Sequence, residues 1–263
     1  MIKLLIYIIL IFVCNNNLRN LDSSLILDKD NWEYNSEYGT FYQFNIPYCN
    51  NPASNSHNIL GIYVPRKYFL CTKLSTSKYS CSNNLSGKIG IYTTSTAPIV
   101  LPIYGENYLE NDDLIYSDKL KECLSAGFIF IYIRFRNEYE WENDISGAPW
   151  GVTDIKAAIK FIRYNSNIIP GDMNSIFTFG FGRGGAQSCL LGITGNSELY
   201  NQYLYNIGAV MYYNNGTQIS DAIKGSQCWC SITNLDAADM SYEWELNNIL
   251  IQVQEVISPL EKN

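Results

Sequence analysis

The chain has 263 residues, 47% of them apolar and only 16% charged, which is enough apolar side chain for a core and excludes an intrinsically disordered protein. This length suits one large α/β domain. A net charge of −7 repels phosphate backbones and anionic surfaces, so nucleic acid and acidic membranes are excluded as partners.

Met1-Ile-Lys3 followed by the apolar run Leu4 to Val13 has the form of a signal peptide, too short to span a bilayer, and predicts a secreted protein cleaved near residue 14. Cys14 is a weak lipid-attachment candidate because bulky Phe12 and Val13 precede it. Seven cysteines remain after it, at 49, 71, 81, 123, 189, 228 and 230. In an oxidising compartment some pair, and the odd count leaves at least one over. Sequons at Asn84-Leu-Ser86 and Asn215-Gly-Thr217 suit the same route.

Residues 15–44 are polar and aromatic without a clear period, and are read as a leader along one edge of a domain covering 45–239. "NILGIYVP" (58–65) and "KIGIYTT" (88–94) are predicted strands, and "APIVLPIYG" (97–105) a buried one. "DDLIYSDKLKECLSAG" (112–127) predicts a helix closed by a glycine. "FIFIYIRF" (128–135) is apolar nearly throughout, as in a parallel strand covered on both faces. Val152, Ile155, Ala158, Ile159 and Ile162 form one apolar stripe of the next helix. Phe177 to Phe181 is a strand, 184–195 a helix, "AIKGSQCWCSITN" a short strand, and 240–263 a helix stopped by Pro259, the start of a lid-like insertion. Alternation of this kind requires right-handed crossovers and a mostly parallel sheet with helices on both faces.

"YCNNPASNSHNILGIYVP", "GAPWGVTDIKAAIKFIRYNSNIIPGD", "GGAQSCLLGITGNSELY" and "CSITNLDAADMSYEW" together resemble the α/β-hydrolase family, within it the bacterial-type tannase and feruloyl esterase branch. The resemblance covers about residues 45–250. It implies an α/β-hydrolase sheet, an ester-hydrolysing ancestry, and an end of the chain before the last strands of that sheet. Its elbow reads G-x-S-x-G, with the serine at a strained apex between strand and helix. Gly180 and Gly184 then stand on the framing glycines, and Gly182 stands where the serine would be.

Ser188 and Cys189 lie too far along the helix to substitute and are read as packing groups. His57, the one histidine, precedes the core strands, whereas the family's base follows the nucleophile; it is read as a solvated loop residue. Asp236 and Asp239 are not taken as triad acids. An oxyanion hole built from backbone N–H groups does not need the serine; the Arg183 amide and the loop carrying Gly105 and Glu106 would supply it. The Arg183 side chain either receives a carboxylate or phenolate or is a surface group at a helix start, and Arg134 and Arg136 either contact a ligand at a strand end or do not. The Cys228-Trp-Cys230 pair has no second ligand cluster, so no metal is expected, and one of its cysteines should bond elsewhere in the domain. No cofactor is implied. Trp150 and Trp244 are read as packing groups.

These residues predict a binding protein for an aromatic ester or carbohydrate that has lost catalysis. The alternatives are a truncated, decayed copy without activity, or an ester hydrolase whose missing parts lie on another polypeptide. No partner protein is implied.

Overall fold

The computed structural model describes residues 25–54, 57–103, 113–136 and 148–231. Eleven strands occur among them: β1 (Glu33–Asn35), β2 (Thr40–Pro47), β3 (Ile59–Pro65), β4 (Phe69–Lys73), β5 (Tyr79–Asn83), β6 (Lys88–Ile89), β7 (Tyr92–Thr93), β8 (Ile99–Ile103), β9 (Ile129–Arg134), β10 (Ile176–Phe181) and β11 (Gly225–Trp229). The helices are α1 (Asp113–Ser125), α2 (Trp150–Tyr164), α3 (Arg183–Ile193) and α4 (Asn201–Asn206). Seven strands form one sheet in the order β1-β2-β3-β9-β8-β10-β11.

β8, β9, β10 and β11 are parallel, while β1, β2 and β3 add antiparallel pairs, so the sheet is mixed. The predicted leader therefore contributes strands: Trp32 is fully buried, β1 forms the sheet edge, and the boundary drawn at residue 44 falls inside β2. Residues 88–94 are not one strand but the two short arms β6 and β7, turned at Gly90. β8 is buried along its whole length, as a central parallel strand covered on both faces must be.

β9 shows how the layers form. Ile129, Ile131 and Ile133 join the main core with residues of α2, while Phe130 packs with Leu120 and Leu124 of α1 and with Tyr63, Tyr132 and Phe179. So α1 lies on one face, and α2 with α3 on the other. α2 carries more than the predicted stripe: thirteen of its residues are buried, Asp154, Lys156 and Lys160 among them. A helix enclosed on all sides must satisfy its charges internally. Arg163, Lys160 and Lys156 do so by binding the chain before β11. Lys156 Nζ reaches Asp221 Oδ1 at 2.9 Å and Lys160 Nζ reaches Oδ2 at 3.1 Å. Arg163 donates to the carbonyls of Ser220 and Ala222 at 2.7 and 2.6 Å.

Among the described residues two disulfides are present, Cys71–Cys81 across the β4–β5 hairpin and Cys189–Cys228 between α3 and β11; Cys49, Cys123 and Cys230 are free thiols. Burial, with Asp154's charge adding to it, pushes the Cys49 thiol up to about 12, so it holds almost no thiolate at neutral pH. Native protein treated with iodoacetamide at pH 8 is expected to be modified first at exposed Cys230, and at Cys49 only after denaturation; peptide mass spectrometry reads the order.

Candidate functional site

The chain leaves β8 for β9 on one side and then crosses to β10 on the other. α1 and α2, which make these two connections, cover opposite faces. The direction reverses between β8 and β10, and in open α/β sheets the ligand crevice lies beyond the carboxyl ends of the strands at such a point. Gly182 stands at this point.

β10 ends at Phe181, Gly182 turns the chain, and α3 begins at Arg183. Gly182 has φ 56° and ψ −118°, a region in which a side chain is strained and glycine is not. Its amide donates to Trp229 O at 2.9 Å, which extends the β10–β11 ladder by one bond and fixes the apex. A Cβ added at Gly182 would meet no atom within 4 Å among the described residues, so none of them crowds the apex. Gly180 is the reverse: a Cβ there would penetrate the carbonyl of Gly184 and lie 2.7 Å from Gly185 N. That close approach lets α3 start directly over the strand, with its positive N-terminal end directed at the crevice.

Ser188 and Cys189 are packing groups. The Ser188 hydroxyl is buried and bonded to Thr178 Oγ1 at 2.7 Å, and Cys189 is bonded to Cys228, the partner the Cys228-Trp-Cys230 pair called for. Arg183 is half-buried at the helix start. Arg136 is not a ligand contact. It is 6% exposed, donates from Nε and Nη2 to the Asp154 carboxylate at 2.9 and 2.6 Å, and lies 4.0 Å beneath the Trp150 ring. Trp150 in turn meets Tyr203 edge-on, the packing role expected of it. Arg134 is half-buried, and its carbonyl accepts from Asn58 N and Tyr48 Oη.

His57 departs from expectation. It is buried, with 5% exposure, and its Nδ1 lies 2.6 Å from Ser54 Oγ. β3, which follows it, is separated from β10 by β9 and β8, about 14 Å at ordinary strand spacing. Gly105, Glu106, Asp236, Asp239 and Trp244 lie outside the described residues. Among the described residues no group of three or more His, Cys, Asp and Glu side chains forms a metal site, and no helix is long and apolar enough to cross a membrane.

The model of the BD-FAE family matches residues 90–249. Among solved structures the chain is similar to Fusobacterium nucleatum tannase, with 30% identity over 78% of this chain and 40% of that one and a TM-score of 0.58. It is similar also to a Lactobacillus plantarum tannase, with 27% identity, 87% and 47% coverage and a TM-score of 0.66. A tannin acyl hydrolase in complex with ethyl gallate matches with 26% identity, 87% and 49% coverage and a TM-score of 0.62. The chain thus spans less than half the length of each. No curated protein sequence matches it significantly.

Proposed function

Because the chain belongs to the BD-FAE family, an α/β-hydrolase-type esterase family, we propose that it binds an aromatic ester or acid, or a carbohydrate, in the crevice above Gly182 without hydrolysing it. The observation that carries this reading is Gly182 itself. It occupies the apex between β10 and α3, uncrowded by any described residue, where the family resemblance calls for a serine hydroxyl. A hydroxyl nucleophile also needs a base within hydrogen-bond reach. The single histidine lies three strands away, bonded to Ser54. Loss of one member of such a triad removes on the order of 10⁶ in turnover, and binding survives it. The backbone amides at the start of α3 remain to receive a carboxylate or ester oxygen. The apolar leader 1–13 supports secretion as the setting.

The experiment is a pair of measurements on the wild-type chain and Gly182→Ser. Neither is expected to hydrolyse a chromogenic aryl ester above background, while gallate or 3,4-dihydroxybenzoate raises the melting temperature of the wild type. The substitution meets no described residue but a strained backbone, and should lower stability by about 1–3 kcal/mol. Aryl-ester turnover by either protein at rates usual for esterases would overturn the proposal. A second reading, a decayed copy without activity, draws on the exposure of Phe181 and Trp229, 71% and 56%. It predicts a broad, ligand-insensitive unfolding transition.

A further inference from the structure

Three cysteines meet where α3 packs against the end of β11. Cys189 is bonded to Cys228, and Cys230, two residues on, is an exposed free thiol. Side chains of a strand alternate between its faces, so an extended chain would turn both Cys228 and Cys230 toward α3. Cys230 is not extended: its φ is 48°, a left-handed conformation that strains any residue but glycine. The chain nevertheless stays on α3. A Cβ added at Gly185 would lie 2.8 Å from Trp229 O and 3.2 Å from Ser231 Cβ, and Ser231 Oγ lies 3.8 Å from Cys189 Sγ. Cys230 is therefore bracketed by two residues, Cys228 and Ser231, that both reach the Cys189 sulfur.

We propose that Cys230 is a thiol–disulfide exchange site, which takes Cys189 over from Cys228 and moves the bond between α3 and β11 two residues along the chain. The Cys230 thiolate attacks Cys189 Sγ, the Cys189–Cys230 bond forms and the Cys189–Cys228 bond breaks. Cys228 leaves as thiolate and takes up the proton that Cys230 gave up. One disulfide replaces another, so no oxidant or reductant is consumed. The reach fits. A disulfide needs Cα atoms about 4.4–6.8 Å apart, those of Cys189 and Cys228 are 6.0 Å apart, and an extended φ at Cys230 would turn its side chain to the face that Cys228 uses. The other free thiols are placed elsewhere: Cys49 bridges to Ala209, and Cys123 packs on the opposite face of the sheet. Trp229, whose carbonyl receives the Gly182 amide, lies between the two anchor points, so the exchange changes which side of that hydrogen bond is tethered to α3.

The test incubates the native full chain at pH 8 without added thiol, traps free thiols with N-ethylmaleimide, and maps the pairing by mass spectrometry after chymotryptic cleavage at Trp229, which separates the two cysteines. Maleimide on Cys228 and a Cys189–Cys230 linkage are expected in about 1–10% of molecules, the usual range of a minor state. Cys230→Ser should abolish the label on Cys228. A wild type in which Cys189 is bonded to Cys228 alone, a Cys228–Cys230 bond in place of the new linkage, or equal labelling of Cys228 in Cys230→Ser would overturn the proposal. Cys228→Ser forces the question. Oxidised with glutathione disulfide, it should form the Cys189–Cys230 bond in most molecules, and both cysteines left as free thiols or glutathione adducts would also overturn it.

Discussion

Asp221→Asn lowers the unfolding free energy by about 3–5 kcal/mol, the usual consequence of removing one partner from a buried ionic cluster. Asp221 is 2% exposed, Lys156 and Lys160 are 0% and 1% exposed, and both ammonium groups are held by this one carboxylate. The amide keeps the shape and removes the charge, leaving two cations in the interior without their anion: Lys156 keeps Thr194 O at 2.6 Å and the Tyr200 ring at 4.8 Å, and Lys160 keeps Ile219 O at 2.5 Å. Asn196 N also donates to Asp221 Oδ1 at 2.8 Å. The damage falls on residues 219–222, immediately before β11, so the edge of the sheet loosens with the cluster. Burial by itself would raise the Asp221 carboxyl; the charge of Lys160 and the hydrogen bond from Lys156 outweigh it and hold the carboxyl below its ordinary 3.8. With a depressed folded value, this contribution is complete above the unfolded value and disappears as pH falls through the folded one. Urea unfolding of the wild type should therefore weaken below about pH 4 through this group. A variant within 1 kcal/mol of wild type at pH 7 would show that the cluster contributes little.

Gly180→Val lowers stability by about 3 kcal/mol, at the upper end of ordinary overpacking. The atoms its Cβ would strike are the backbone carbonyl of Gly184 and the amide of Gly185, which cannot rotate aside as a flexible side chain does. α3 must move off the strand, and with it the Ser188–Thr178 hydrogen bond and the Cys189 end of the disulfide. Gly182→Ser, two residues on, meets no neighbour among the described residues and carries backbone strain. Comparing the two by thermal unfolding separates steric from conformational cost at one turn, and a milder effect at Gly180 than at Gly182 would contradict the assignment.

Much of the fold was legible where burial leaves one solution. Ile99–Ile103 and Ile129–Arg134 are apolar runs too short for helices, and both are central strands. The glycines at 180, 182 and 184 marked the sharp turn because few other residues fit it. β2 was not legible: "TFYQFNIP" interrupts its alternation with a bulge at Asn45, whose φ is 54°, and so it passed for irregular leader. The burial of the α2 lysines was not legible, because their partner, Asp221, is 65 and 61 positions away and no local pattern announces it. His57 was read as a solvated loop residue, yet it is buried and bonded to Ser54, three residues before it. The candidate site was legible as a motif, while the packing of Arg136 under Trp150 required the assembled sheet.

The Cys189–Cys228 bond gives the outermost parallel strand an unusual constraint. A terminal strand ordinarily frays on its own, since only one neighbour holds it. Here β11 is bonded covalently to α3, and its last residue receives the amide of Gly182. Any peeling of the margin must drag the apex with it, so the stiffness of the crevice is set at the rim of the sheet and not at its centre.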